Sequence, residues 1–145
     1  MSVDQPQKSL DELHDIIQDA WDRVAVRVGE RSNRLMSITD LPQDDRDLYL
    51  VADLIAITCN AGMLAWIHYH HDEPGWIESA QAAFRRIGHP QVSDGLASGL
   101  QTYLAKRGSL THEDGPEQER YIYDHEEEIY RSLYRHLGLR QYFSK

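Results

Sequence analysis

His68, His70, His71, Asp72 and Glu73 fall within six consecutive positions and form the densest set of possible metal ligands in the chain. On a helix, His68 and His71 share a face, and Asp72 lies four residues from His68. Neutral imidazole with carboxylate suits zinc or a non-haem metal. One helix supplies only part of such a site, so the other ligands would have to come from residues such as His89, His125 or His136. There is no H-E-x-x-H and no second matching pair. The cluster also falls where a helix is expected to end, a place that favours exposed, protonated histidine without any metal. His68, His71 and Asp72 thus remain candidates for a metal-dependent enzyme, while the sequence demands no cofactor.

Two single residues could also act. Cys59 lies in an apolar run, where a lone cysteine is expected to be buried, inert packing. Asp53 interrupts the same run. It is expected at the exposed edge of a helix or beside an arginine, rather than as a general base. Trp66, Tyr69 and Trp76 read as core, because no basic residues interleave with them as a base-stacking surface requires. No glycine-rich phosphate loop, nucleophile elbow or dinucleotide fingerprint is present.

The carboxylates are more numerous than any of these. The 145 residues carry 15 Lys and Arg against 24 Asp and Glu, a formal net charge of −9. That field repels phosphate, so direct nucleic-acid binding is disfavoured. Asp11, Asp15, Asp19 and Asp22 are spaced to share one face of a first helix, opposite its apolar stripe. Four helical residues rise about 6 Å, comparable with the spacing of charges along one nucleic-acid strand. A rigid row of this kind can imitate phosphates before a basic DNA-binding surface. Glu117, Asp124, Glu127 and Glu128 would extend the acidic surface from the last helix. The same pattern has an ordinary reading. Acids early and arginines late complement the helix dipole, and Asp19 with Arg23 and Glu127 with Arg131 are favourable four-residue pairs.

The elements that must hold these residues are helical almost throughout. Leu10, Leu13, Ile16, Ile17, Ala20, Trp21, Val24 and Val28 make one stripe. Ser9 with Glu12 forms a capping box and Gly29 a stop, which gives a helix over roughly 10–28. Residues 31–41 are ambiguous, with room for a short helical turn. Pro42 suits the first turn of a second helix, with Asp44, Asp45 and Asp47 near its positive end. Leu48 to Cys59 is apolar on most sides and should be the central helix. Asn60-Ala61-Gly62 breaks it, and Met63 to His71 is a short helix ended by Asp72-Glu73-Pro74-Gly75. Trp76 to Ile87 is a clean amphipathic stripe closed by Gly88. Pro90 opens a fifth helix in which Gly95 and Gly99 either permit close packing or weaken it. Residues 108–116 are loop, and Pro116 begins a last helix stopped by Gly138. A tail follows that could dock through Tyr142 and Phe143. The expected fold is a single all-α domain over 1–145 with about six helices.

One cysteine excludes a disulfide framework and a cysteine zinc site. The longest apolar stretch, Ala61 to Ile67, is far short of the about 20 residues of a membrane span. Met1 to Lys8 is polar, unlike a secretory signal. The expectation is a cytoplasmic protein that binds neither membrane nor nucleic acid directly.

Residues 42–140 carry a resemblance. Leu48-Tyr49-Leu50, then Asn60-Ala61-Gly62-Met63-Leu64-Ala65-Trp66-Ile67, then an amphipathic helix ending in Ile87-Gly88, resemble the bacterial DNA-mimic protein family of the DMP-nineteen type, a domain of otherwise unknown function. Its pattern runs "LY", then N-G-G-F-x-Q-F-F, then a helix closing on "IG". Here Ala61 replaces the second residue of the turn, Met63 the Phe and Ala65 the Gln, so no role of those positions carries over. The resemblance implies an all-α protein without catalytic activity, a homodimer, and a surface of carboxylates that occupies the DNA-binding face of a regulator. The functional expectation is accordingly a non-enzymatic acidic protein, a DNA mimic, whose partner is a basic DNA-binding regulator. The alternatives are an immunity or antitoxin-like protein that neutralises a basic toxin, and the metal-dependent enzyme.

Overall fold

Ser9 begins the fold as its sequence suggests. In the computed structural model, which describes residues 7–143, its hydroxyl accepts from the Glu12 backbone N–H at 3.1 Å, and its own N–H donates to Glu12 Oε1 at 2.8 Å. The reciprocal bonds hold the Glu12 carboxyl below its usual range, chiefly through the Ser9 backbone. Helix α1 then runs Leu10–Val28. Gly29 ends it at φ 80°, a left-handed conformation that a Cβ disfavours. A Cβ there would also meet the Asn33 carbonyl at 2.7 Å.

That close approach is a hairpin the sequence pattern did not announce. β1 (Gly29–Glu30) pairs antiparallel with β2 (Asn33–Arg34), Gly29 opposite Arg34. A single 3-10 turn follows at Ile38–Asp40, inside the stretch read as ambiguous. Five more α-helices, α2 (Gln43–Ala61), α3 (Met63–His70), α4 (Trp76–Arg86), α5 (Pro90–Ala105) and α6 (Glu119–Gly138), and a second 3-10 turn at His112–Asp114 before α6 complete the elements of the described chain. The architecture is all-α, with the hairpin as its one small sheet among the described residues.

Helix α2 is the centre, as its apolar surround requires. It packs against α1, α3, α4 and α6, and Leu48, Leu50, Val51, Leu54 and Ile55 are fully buried. It starts five residues before the apolar run, with Pro42 as the residue just outside the helix. Asp47 is the fifth residue of α2, near its positive end as expected, and is also fully buried. It accepts from Arg86 of α4 at 2.5 and 2.9 Å, and His136 of α6 lies 3.8 Å away. One buried carboxylate thus ties α2 to α4 and faces α6. Gly62, at φ 93°, breaks α2 from α3. The first amide of α3, at Met63, donates to Glu119 Oε1 of α6 at 2.7 Å.

The two glycines of α5 permit close packing. A Cβ at Gly95 would lie 2.8 Å from the Gln118 Cβ, and one at Gly99 would lie 2.8 Å from the Ile67 methyl. Gly95→Ala gains about 1 kcal/mol of helix propensity but must displace the start of α6, at about 1–3 kcal/mol. We expect net destabilisation of about 1 kcal/mol, read from the urea midpoint. A stabilised variant would refute the packing role.

Helix α6 is kinked at His125, whose backbone leaves helical geometry. His89, just before α5 and buried, spans the kink: its ring nitrogens meet the Tyr121 hydroxyl at 2.6 Å and Ser132 Oγ at 2.9 Å. Burial holds this imidazole below its usual pKa, against the opposing pull of Glu128. Below about pH 6.5, the unfolded chain therefore takes up the proton first. His89 contributes stability that is complete above that value and is lost as pH falls from it through the lower folded one. Unfolding curves at pH 7 and pH 5 should show a drop that His89→Gln reduces; an undiminished drop would acquit His89.

The tail docks through both expected aromatics. The Tyr142 hydroxyl donates to Asp45 Oδ1 at 2.7 Å, and Phe143 stacks on Tyr134 at 5.1 Å. Among the described residues no helix is long and apolar enough to cross a membrane.

Candidate functional site

The first-helix carboxylates lie where their spacing places them. Asp11, Asp15, Asp19 and Asp22 are all exposed on α1, opposite the buried Leu13, Ile17, Ala20 and Val24. Eleven residues of helix separate first from last, about 16 Å. Among the described residues none of the four has a Lys, Arg or His nitrogen within 4.0 Å. Among the described residues their one side-chain bond is Gln18 Nε2 to Asp22 at 3.0 Å. The expected Asp19–Arg23 pair does not form, and Arg27 instead reaches Asp45 of α2 at 2.6 Å.

The last-helix acids behave differently. Glu127 is held by Arg131 at 2.6 Å, and Asp124 lies 3.6 Å from Arg120. Glu117 is exposed but precedes α6. The kink at His125 separates Asp124 from the exposed Glu128, so these positions do not continue one straight row. Glu126, not singled out by the sequence, faces α1 and lies 3.6 Å from His14.

The histidine cluster is dispersed by its own helix. His68 Nδ1 meets the Tyr103 hydroxyl at 2.7 Å, and His71 Nδ1 is 3.1 Å from the His68 carbonyl. Asp72 is exposed and 3.4 Å from Arg31. His125 bonds the Tyr121 carbonyl, His89 is engaged as described, and His136 lies 3.8 Å from Asp47, its Nε2 without a hydrogen bond among the described residues. Among the described residues no group of three His, Cys, Asp or Glu is placed to hold a metal ion.

Cys59 corrects its reading. It is exposed, not buried, and its sulfur lies 3.9 Å from Glu126 Oε1. Desolvation of the sulfur and the adjacent carboxylate push the thiol up to about 11, which removes most nucleophilic character at neutral pH.

Asp53 is neither at an open edge nor beside an arginine. Its side chain is only 13% exposed, accepts from the Trp66 indole N–H at 3.0 Å, and lies 3.5 Å from His70 Nε2. The other ring nitrogen of His70 meets Glu73 at 2.8 Å. Glu73 in turn receives Arg34 through two bonds of 2.8 and 3.0 Å. Arg34 also reaches the Gly29 carbonyl and lies over the Trp76 ring at 4.5 Å, where His70 stacks at 4.1 Å. Burial raises the Glu73 carboxyl, but Arg34 and His70 together hold it below its usual range. This chain of four polar side chains joins the hairpin, α2 and the end of α3. The sequence signal was only the apolar-run Asp53 and the clustered histidines, which gave no hint that they meet.

Two cavities share Asp53 and Trp21. One, about 800 Å³, opens between α1, the hairpin and α2 and includes Asp22, Val26, Tyr49 and Tyr69. The other, about 430 Å³, includes His14, Asp15 and Tyr130. A third, about 860 Å³, surrounds the Asn60–Gly62 turn. Several of its polar groups are paired, Glu119 with the Met63 N–H and the Tyr123 hydroxyl and His68 with Tyr103, whereas the buried Thr58 hydroxyl has no hydrogen-bond partner among the described residues and Arg107 lies over the Tyr103 ring. No family model, curated protein or solved structure matches the chain.

Proposed function

We propose that this protein is a non-enzymatic binding protein that engages a basic protein partner through the carboxylates of α1. The observation that carries the reading is the state of Asp11, Asp15, Asp19 and Asp22: one helix face, all exposed, none neutralised by a cation within 4.0 Å among the described residues. Carboxylates held apart from internal cations keep their field directed at an incoming molecule. Such a field accelerates encounter and makes binding salt-sensitive. The finer reading is that the partner is a DNA-binding regulator and that α1 stands in for one strand of phosphates. Four charges over about 16 Å, one per roughly 5 Å, are sparser than the one per about 3.4 Å of a single strand and the one per about 1.7 Å of the duplex, so the row would stand in for part of one strand's charge.

The test is capture of host proteins on the immobilised chain, with elution by salt and competition by duplex DNA. The expected partner elutes between low and about 0.15 M salt, is displaced by DNA, and binds about tenfold more weakly to Asp15→Lys with Asp19→Lys. A captured protein indifferent to both salt and charge reversal would remove the reading. One that is salt-sensitive but unmoved by DNA would remove only the mimicry.

A further inference from the structure

The acidic row does not stand alone on its side of the molecule. Of the six large hydrophobic side chains most exposed in the described chain, Val26 (71%), Leu35 (64%) and Tyr69 (44%) gather around the 800 Å³ groove between α1, the hairpin and α2. Val26 and Tyr69 line it, and Leu35 sits directly over Gly29 at its edge. Trp21 forms its wall, stacked flat on Tyr49 with ring centres 5.4 Å apart and planes 8° from parallel. Isolated exposed apolar residues are ordinary on a soluble surface; several of them rimming one concave aromatic groove mark an interaction site.

Around that groove the cations have carboxylate partners, while two carboxylates have no cation partner among the described residues. Arg31 bonds the Tyr69 carbonyl and lies 3.4 Å from Asp72. Arg34 is committed to Glu73 and the Gly29 carbonyl. Both cations therefore have partners within the fold, although the Arg31 side chain stays 47% exposed. Asp22 and Glu30, also at the groove, have no cation within 4.0 Å among the described residues, and both are exposed. Asp15 lines the adjoining 430 Å³ cavity, which shares Trp21 and Asp53 with the groove. Row and groove are thus one continuous surface, apolar along its floor and negative along its edge.

We infer that this groove docks a basic amphipathic segment of a partner protein, its apolar side chains between Trp21, Val26 and Tyr69 and its Lys or Arg residues against Asp22, Glu30 and Asp15. The inference rests on the proposed acidic-row function and adds where the partner lies and what it must carry besides charge. A second copy of this chain is a poor occupant, because it would bring the same excess of carboxylates to the same place. Apolar anchors supply the affinity that surface charge alone does not, and charge supplies rate and orientation.

The experiment selects a displayed random-peptide library on the full chain, with counter-selection on the variant Val26→Ser with Tyr69→Ser. Both positions are exposed, and circular dichroism verifies that the variant stays folded. Enriched peptides should combine aromatic or aliphatic residues with Lys or Arg. A synthetic winner should bind the unaltered chain at least about tenfold more tightly than the variant and weaken with salt. Salt-sensitive binding that ignores Val26 and Tyr69 would overturn the groove and leave the acidic row standing. Groove-dependent binding indifferent to salt and to Asp15→Lys with Asp19→Lys would overturn the acidic row as the binding determinant, and with it the basic character inferred for the segment. Failure to enrich any peptide against the variant would overturn the groove.

Discussion

Arg86→Ala should destabilise the fold by about 4 kcal/mol, and Asp47→Ala by about 2 kcal/mol. The asymmetry follows from where the two ends of the pair lie. Asp47 is fully buried, while the Arg86 side chain is 31% exposed. Removing the carboxylate leaves a guanidinium that can turn toward water. Removing the guanidinium leaves a buried carboxylate with only His136 nearby, at 3.8 Å, and an uncompensated buried charge is the expensive outcome. Against a total stability of roughly 5–15 kcal/mol, the first variant loses a large share of the margin. Urea unfolding of both single variants and the double variant measures the coupling directly. An Asp47→Ala penalty exceeding that of Arg86→Ala would contradict the argument, as would two penalties below about 1 kcal/mol.

Glu73→Gln should cost about 2 kcal/mol, less because its site is partly open, with side chains 21% and 14% exposed at Arg34 and Glu73. The amide keeps the size but not the charge, so Arg34 and His70 both lose their charged acceptor. The pH dependence carries a sign of its own. With the folded carboxyl held below its usual range, the unfolded chain takes up its proton first as the solution is acidified. The contribution of Glu73 is complete above about pH 4.5 and is lost as pH falls through the folded value. Glu73→Gln should flatten the acid limb of stability against pH in that window. Chemical denaturation from pH 6 to pH 3 measures it, and an acid limb parallel to that of the unaltered chain would refute the assignment.

The features legible in the sequence are those with a local cause. The α1 stripe, its Ser9–Glu12 cap, the central burial of α2, the break at Gly62 and the stacking of Phe143 on Tyr134 each depend on residues a few positions apart or on the packing of one apolar face, whereas the aromatic character of Tyr142 suggested docking but not its Asp45 partner 97 positions away. The exposed row of α1 is legible for the same reason, because 3.6-residue periodicity fixes which side faces water. The Asp47–Arg86 pair and the Arg34–Glu73 pair each span 39 positions, a separation at which charge pattern says nothing about contact. Strands of two residues carry no alternation, so the hairpin was invisible. The acidic positions of α6 misled because a repeating spacing presumes an unbroken helix, and His125 is not helical. Cys59 misled because one face of an otherwise apolar helix remains open.

Glu119 has a consequence for how the molecule breathes. It closes the amino end of α3 from a helix 56 positions further along the chain. Eight residues are too few for a helix to persist in isolation. The amides of α3 should therefore exchange with solvent deuterium in step with those of the opening turns of α6, as one cooperative unit. Truncation ahead of Glu119 should leave that stretch of backbone without protection.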